Sequence, residues 1–262
     1  MPSKHPVRNV HGEHRRATIK ILEKVGGGYS RARHDVFRDF VELSAIAIAN
    51  RIPRSKEEYD RREARYLNVI GRYSDEDAKA FAQALGEVAL ATETEGGDVL
   101  GDVYMGSNLG NDRTGQFFTP FDVSTMMAKI TAVEAAREIV GKGRVMRISE
   151  PCIGAGSIAI ATFEELRKAE IPIEEHVHLT AIDIDERCCH MAFIQLSLRN
   201  IPAMVIRGNA LSLEEREYWF TPAHMLFGWD EKLRVHATYD DPAQQRAQRT
   251  GQLPLFDLPE AS

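Results

Sequence analysis

The spacing of apolar positions changes along the chain and marks its elements. Phe37, Phe40, Val41, Ser44 and Ile48 fall at i, i+3, i+4, i+7 and i+11, one stripe of an amphipathic helix. Gly26-Gly27-Gly28 precedes it and ends a basic helical stretch over about residues 8–25. Pro53 and Ser55 stop the stripe and open a heavily charged helix that runs to about Gly71. Ser74-Asp75-Glu76-Asp77 resembles a capping box and predicts an alanine-rich helix through Leu90. Residues 29–95 thus read as a helical bundle with no internal repeat.

Beyond Gly96 the texture is different. Glycines at 96, 97, 101, 106, 110 and 115 break up a stretch ending in Gly115-Gln-Phe-Phe-Thr-Pro120. A helix is predicted to start at Pro120, where a missing N–H costs nothing, with Val123, Met126, Met127 and Ile130 on one apolar face. From residue 144 the order is strand, glycine loop, helix, strand, helix, strand, with strands over about 145–149, 177–182 and 203–207. Such alternation predicts parallel strands in an open α/β sheet. No apolar strand is legible between Asn209 and Pro222, so the sheet is expected to be incomplete. The expected organisation is a basic amino-terminal arm (1–28), the bundle (29–95), an α/β domain (96–230) and a polar, disordered tail (231–262).

Composition excludes several classes. With 262 residues, 43% hydrophobic and 27% charged, the chain is too apolar to be wholly disordered and has material for a sizeable core. No apolar run approaches the span of a bilayer, and no apolar stretch follows the charged amino terminus, so neither a membrane nor a secretory signal is expected. Cys152, Cys188 and Cys189 are odd in number, two of them adjacent, and lack metal-ligand spacing. A reducing cytoplasm is the expected location, with no structural metal. Net charge is −6, yet residues 1–40 hold nine Lys/Arg against four Asp/Glu. That local surplus fits either a solvated helix or an arm that contacts nucleic acid.

The glycine loop carries the chemistry. Glu150-Pro151-Cys152-Ile153-Gly154-Ala155-Gly156 directly follows the first strand and opens a helix, the context a nucleotide-binding turn requires. Gly154-x-Gly156-x-x-Ala159 also matches a dinucleotide fingerprint, but Glu150 argues against NAD, whose pyrophosphate would lie near a like charge. A ligand bearing an ammonium and a sulfonium has the opposite preference, so S-adenosyl-L-methionine fits better. Asp183, ending the second strand, is placed to accept from both ribose hydroxyls, with Asp185 as amino-cap of the next helix. Asn209, ending the third strand, offers an amide to the adenine edge.

Gly115-Gln-Phe-Phe-Thr-Pro120, Glu150-Pro-Cys-Ile-Gly-Ala-Gly156, Ala181-Ile-Asp-Ile-Asp185 and Gly208-Asn-Ala-Leu211 stand in the order found in amino-group DNA adenine methyltransferases. Over about residues 96–212 the chain resembles that family, and most of all the modification subunits of type I restriction systems. Asp98-Val-Leu-Gly-Asp-Val-Tyr104 is similar to the family too. The resemblance implies a Rossmann-like methyltransferase core, S-adenosyl-L-methionine as cofactor and double-stranded DNA as the partner acted upon. It implies that Phe118, Thr119 and Pro120 embrace the methionine part, while Glu150, Pro151, Cys152, Gly154 and Gly156 line the pocket. Asp183 then binds the ribose, Ile184 packs on the adenine, and Asn209 with Ala210 meets the adenine edge. The family usually has Asp where Asn209 stands.

A larger departure concerns catalysis. The family flips the adenine out and holds its amino group with an Asn/Asp-Pro-Pro-aromatic motif, and this sequence has no Pro-Pro. Trp219-Phe220-Thr221-Pro222 lacks the Asn or Asp, and Asp241-Pro242 lacks the aromatic. Tyr218, Trp219 and Trp229 read as packing residues. Catalytic residues therefore stay unassigned. Two readings remain open: an adenine-N6 methyltransferase completed by a second subunit, or a catalytically silent relative that keeps the cofactor pocket. In the tail, Gln252-Leu253-Pro254-Leu255-Phe256 resembles the short peptides that grip the bacterial replication sliding clamp. Docking back onto the protein's own surface is the competing explanation.

Overall fold

A computed structural model describes residues 11–27, 33–107, 109 and 121–240, for residues 236–240 the backbone alone. The helices are α1 (Glu13–Leu22), α2 (Arg33–Ala49), α3 (Lys56–Ile70), α4 (Asp75–Thr94), α5 (Val99–Gly106) and α6 (Phe121–Gly141). A Rossmann-like core follows: β1 (Met146–Glu150), α7 (Ser157–Lys168), α8 (Ile173–His176), β2 (Val177–Asp183), α9 (Glu186–Leu198), β3 (Ala203–Asn209), β4 (Glu214–Phe220), α10 (Pro222–Leu226) and α11 (Trp229–Asp240). Phe118, Thr119 and Pro120, and the tail peptide Gln252, Leu253, Leu255 and Phe256, lie outside the described residues.

The expected caps are present. The Ser55 side chain accepts from Glu58 N at 3.1 Å to start α3, and Ser74 and Asp77 bond reciprocally at the start of α4. The stripe of α2 is buried except for the half-buried Ile48, but so are Asp39 and Glu42, because α2 lies along α9 and is enclosed on nearly every side. Phe37, Phe40, Phe81, Tyr104, Phe163, Phe193 and Trp219 belong to one core shared by helices and sheet. The basic amino-terminal helix is shorter than its sequence suggested and is not a free arm. α1 packs on α4, where the nearly buried Arg15 donates to Glu95 at 2.8 Å and to Gly96 O at 2.5 Å. His14 meets Glu87 at 2.7 Å on the same interface.

The sheet order is β1-β2-β3-β4, parallel from β1 to β3, with β4 antiparallel to β3. β4 corrects the expectation that no strand precedes Pro222. Its sequence, Glu-Glu-Arg-Glu-Tyr-Trp-Phe, shows no apolar run because only Trp219 is fully buried. The polar members are held instead by α3: Arg62 donates to Tyr218 O at 3.2 Å and Arg65 to Glu217 at 3.2 Å, Arg65 also reaching Glu42 and, at 2.6 Å, Glu186. The β3–β4 hairpin is tight at Gly208, where a Cβ would stand 2.4 Å from Glu214 O.

Two further expectations change. The disordered tail was placed from residue 231, but α11 continues to Asp240, anchored at its start by the buried Trp229 indole donating to Glu174 O at 2.9 Å. In α6 the face of Val123, Met126, Met127 and Ile130 is exposed, Ile130 by 71%. The buried face is the small-residue stripe Ser124, Ala128, Ala132 and Ala136, which packs closely on α7. Among the described residues no helix is long and apolar enough to cross a membrane.

Candidate functional site

Parallel strands deliver their carboxyl ends to one side of a sheet, and a ligand crevice forms there. Glu150, Asp183 and Asn209 end β1, β2 and β3 on that side, as their registers require. The glycine loop leaves β1 at Glu150, whose Oε1 accepts from Cys152 N at 3.1 Å. Pro151 and Cys152 are exposed, and Ile153 then turns inward, its N–H donating to Ile182 O at 2.9 Å. Gly154 and Gly156 have φ of 57° and 105°. An L side chain tolerates the first poorly and the second hardly at all, so this turn needs glycine at Gly156. α7 starts immediately afterwards, with no side-chain cap at Gly156.

Asp183 is the centre of the arrangement. Its Oδ2 accepts from Gly154 N at 2.9 Å and its Oδ1 from Asp185 N at 2.9 Å. A carboxylate has about four lone-pair sites, so these backbone donors leave acceptor capacity for a further donor such as a ribose hydroxyl. Burial pushes the Asp183 carboxyl up, against the opposing effect of backbone donors from Asp185, Gly154 and Ile184. Ile184 follows, 61% exposed, an apolar surface available to a flat ring. Asp185 caps α9 as expected, accepting from Arg187 N at 2.9 Å.

Asn209 is only partly free. Its Oδ1 accepts from Leu211 N at 2.9 Å and Ser212 N at 3.4 Å, closing the turn that begins at Ala210. Its NH₂ group is what an adenine edge would meet, as a donor. Trp219 cannot serve as a base clamp: it is fully buried, edge-on to His190 at 4.9 Å and beside Phe193 at 5.3 Å. Pro222 is the first residue of α10, capped by Thr221. Tyr218 is more exposed than a packing residue, at 38%.

Residues 95–231, more than half of the chain, match the family model described as N-6 DNA Methylase. The chain belongs to the N-6 DNA methylase family. The cofactor of this family is S-adenosyl-L-methionine, and the Gly154–Gly156 turn, the Asp183 carboxylate and the exposed Ile184 fit it.

Three solved structures are similar to this N-6 DNA methylase. One is a putative class I S-adenosylmethionine-dependent methyltransferase from Listeria monocytogenes, 13% identical with a TM-score of 0.41, aligned over 77% of this chain and 55% of that one. Another is the methyltransferase subunit of a type I restriction-modification system from Streptococcus thermophilus, 15% identical, TM-score 0.36, over 76% and 40%. The third is a DrdV–DNA complex, 13% identical, TM-score 0.37, over 84% and 25%. The chain thus spans little more than half of the first and less of the others. No curated protein sequence matches it.

Sequence reasoning placed Glu150, Pro151, Cys152, Gly154, Gly156, Asp183, Ile184, Asn209 and Ala210 at the carboxyl ends of three adjacent parallel strands or in the turns that follow them. It missed Gln195, a fully buried residue of α9 that touches the glycine loop. The only signal for it was a lone amide on a helix face otherwise made of Met, Ala, Ile and Leu.

Proposed function

We propose that this chain is the cofactor-binding part of a DNA adenine-N6 methyltransferase and that a second polypeptide completes it for catalysis. The observation that carries this reading is the sheet order. All parallel strands step one way from β1, so the crevice at their carboxyl ends has one wall, and among the described residues nothing pairs with the other edge of β1. In open α/β sheets the crevice lies where strand order reverses, which needs a strand on each side of β1. The sequence also lacks the Asn/Asp-Pro-Pro-aromatic segment that the resemblance calls for. A strand added beside β1 would end next to Glu150, close to where an acceptor base must meet the methyl group.

S-adenosyl-L-methionine, when bound, supplies an electrophilic methyl on a sulfonium. The residues of this chain bind and orient: Asp183 accepts from the ribose, Ile184 covers the adenine, Asn209 donates to its edge, and the Glu150 carboxylate favours the cationic end. Deprotonating and positioning the acceptor amine falls to groups outside this constellation. Phe118, Thr119 and Pro120 are assigned to the methionine part by resemblance.

The test has two arms. Calorimetry of the pure chain with S-adenosyl-L-methionine should show saturable binding, and radiolabelled methyl transfer to unmethylated double-stranded DNA should be absent or weak. Robust methylation of adenine by the chain alone would refute the need for a second polypeptide. No binding at millimolar cofactor would refute the assignment of the pocket. A catalytically silent relative is the second reading, favoured by the same missing segment; it predicts that no co-purified or co-encoded polypeptide restores transfer.

A further inference from the structure

Gln195 makes three hydrogen bonds with no exposed surface, and together they tie two other segments, the glycine loop and the start of α5, to α9. Its Nε2 donates to Ala155 O at 2.8 Å, in the middle of the glycine loop, and to Asp98 Oδ1 at 2.8 Å. Its Oε1 accepts from Leu100 N at 3.2 Å. An amide of this kind has two donors and one oxygen, and all are engaged with segments 40 and 95–97 residues away in sequence. Asp98 in turn caps α5, accepting from Gly101 N at 2.9 Å. Arg199, one helical turn on, donates to Gly97 O at 2.5 Å and to Gln195 O at 3.2 Å.

We propose that Gln195, with Asp98, is a positioning residue for cofactor binding: it holds the Ala155 carbonyl and so sets the turn between Gly154 and Gly156. This rests on the cofactor-binding reading above. The loop is then gripped from two sides, by Asp183 at Gly154 N and by Gln195 at Ala155 O. The grip matters because both flanking glycines, with φ of 57° and 105°, have freedom that other residues lack. The peptide unit between Ala155 and Gly156 is held at both ends, by Gly156 N donating to Ile153 O at 2.9 Å within the turn and by Gln195 at the Ala155 carbonyl from outside it. Asp183 holds an N–H one residue earlier and does not reach that carbonyl. Burial pushes the Asp98 carboxyl up, and the amide of Gln195 and the N–H of Gly101 are what stabilise its charged form. Asp98 and Gln195 therefore depend on each other, and α5 is coupled to the loop through them. A glycine loop held in its ligand-ready shape does not lose that freedom again on binding.

The experiment compares Gln195→Met, which keeps the volume and removes every bond, with Ile173→Ala, which opens the core at the far, amino-terminal end of β2. Affinity for S-adenosyl-L-methionine is measured by calorimetry and melting temperature on the same samples. Gln195→Met should lose at least tenfold in affinity, and Ile173→Ala, at equal or greater loss of melting temperature, should bind within threefold of wild type. Equal affinities of Gln195→Met and wild type overturn the proposal, whereas no binding by wild type overturns the pocket itself. If Gln195→Met does not fold, hydrogen exchange on the wild-type protein decides. Cofactor should protect the amides of Val99, Leu100 and Gly101 together with those of Gly154–Gly156, and protection confined to the loop would exclude the coupling.

Discussion

Removing the Asp183 carboxylate is the sharpest perturbation of the pocket. In Asp183→Ala the backbone donors Gly154 N and Asp185 N lose acceptors that now stand at 2.9 Å, and the acceptor capacity left for a ligand disappears with them. A hydrogen bond to a charged group contributes about 1.5–3 kcal/mol, so loss of the ribose contacts should weaken cofactor binding roughly ten- to a hundredfold. The two backbone bonds bear on the apo protein and should appear as a lower melting temperature. Calorimetry with S-adenosyl-L-methionine, beside thermal melts of the same samples, separates the two effects. Acidification gives a second handle. Burial, the largest cause, raises the folded pKa of Asp183, so protonation sets in at higher pH than for a free aspartate. Only the carboxylate offers both oxygens, so affinity should fall as pH is lowered toward that raised value. In Asp183→Asn this acid limb should be missing. Unchanged affinity in Asp183→Ala, or an identical acid limb in Asp183→Asn, would refute the ribose assignment.

Gly156→Ala should lose cofactor affinity and melt earlier, since φ of 105° is closed to alanine; an unaffected variant would mean the loop has another conformation in solution. His178 and His190 have pKa values pushed down to about 3, chiefly by burial, with His224 beside the first and Arg65 beside the second. Their folded pKa lies below the unfolded value, so stability is full above about pH 6.5 and falls by about 1.4 kcal/mol per pH unit for each as pH drops toward 3. Urea midpoints between pH 7 and 5 should show this, and His190→Met, which removes a ring with neither nitrogen partnered, should be flatter with pH and at least as stable at pH 5. A peptide covering residues 248–262 should bind a bacterial sliding clamp at micromolar level by fluorescence anisotropy and lose binding when Leu255 and Phe256 become Ala. Equal binding by the double variant would leave the tail with no such role.

The parts of the fold that sequence could show were those with short-range causes. Caps at Ser55, Ser74 and Asp185 are local hydrogen bonds, and the glycine loop between β1 and α7 follows from the turn it must make. β4 was hidden because its partners are remote. Glu217 and Tyr218 look like solvent positions until Arg62 and Arg65 arrive from α3, more than 150 residues earlier. Gln195 was hidden for the same reason, its partners lying 40 to 97 residues away. The His178–His224–Asp230 chain, with contacts of 2.9 and 3.1 Å and closed by Arg54 at 2.9 Å, joins four segments that no spacing rule connects.

The two ends of the sheet are treated differently, and the difference bears on what the chain needs. The β4 edge is made safe against further pairing: Glu214, Glu215, Arg216 and Glu217 put charges on it, and Arg62 occupies the Tyr218 carbonyl. The β1 edge has no comparable cover among the described residues, and its Met146 and Ile148 are only partly buried while Val177, Leu179 and Ala181 of β2 beside it are fully buried. α6 has the same one-sided character. Ser124, Ala128, Ala132 and Ala136 fit it closely to α7, while Val123, Met126, Met127 and Ile130 remain in water. A helix apolar on two faces buries both only between two neighbours, and among the described residues none covers the second face of α6. An uncovered β1 edge and an uncovered apolar face of α6 are what the proposed half of a methyltransferase core would show. These features are independent of the missing Pro-Pro segment, and the second polypeptide proposed above would meet both by adding strands beside β1.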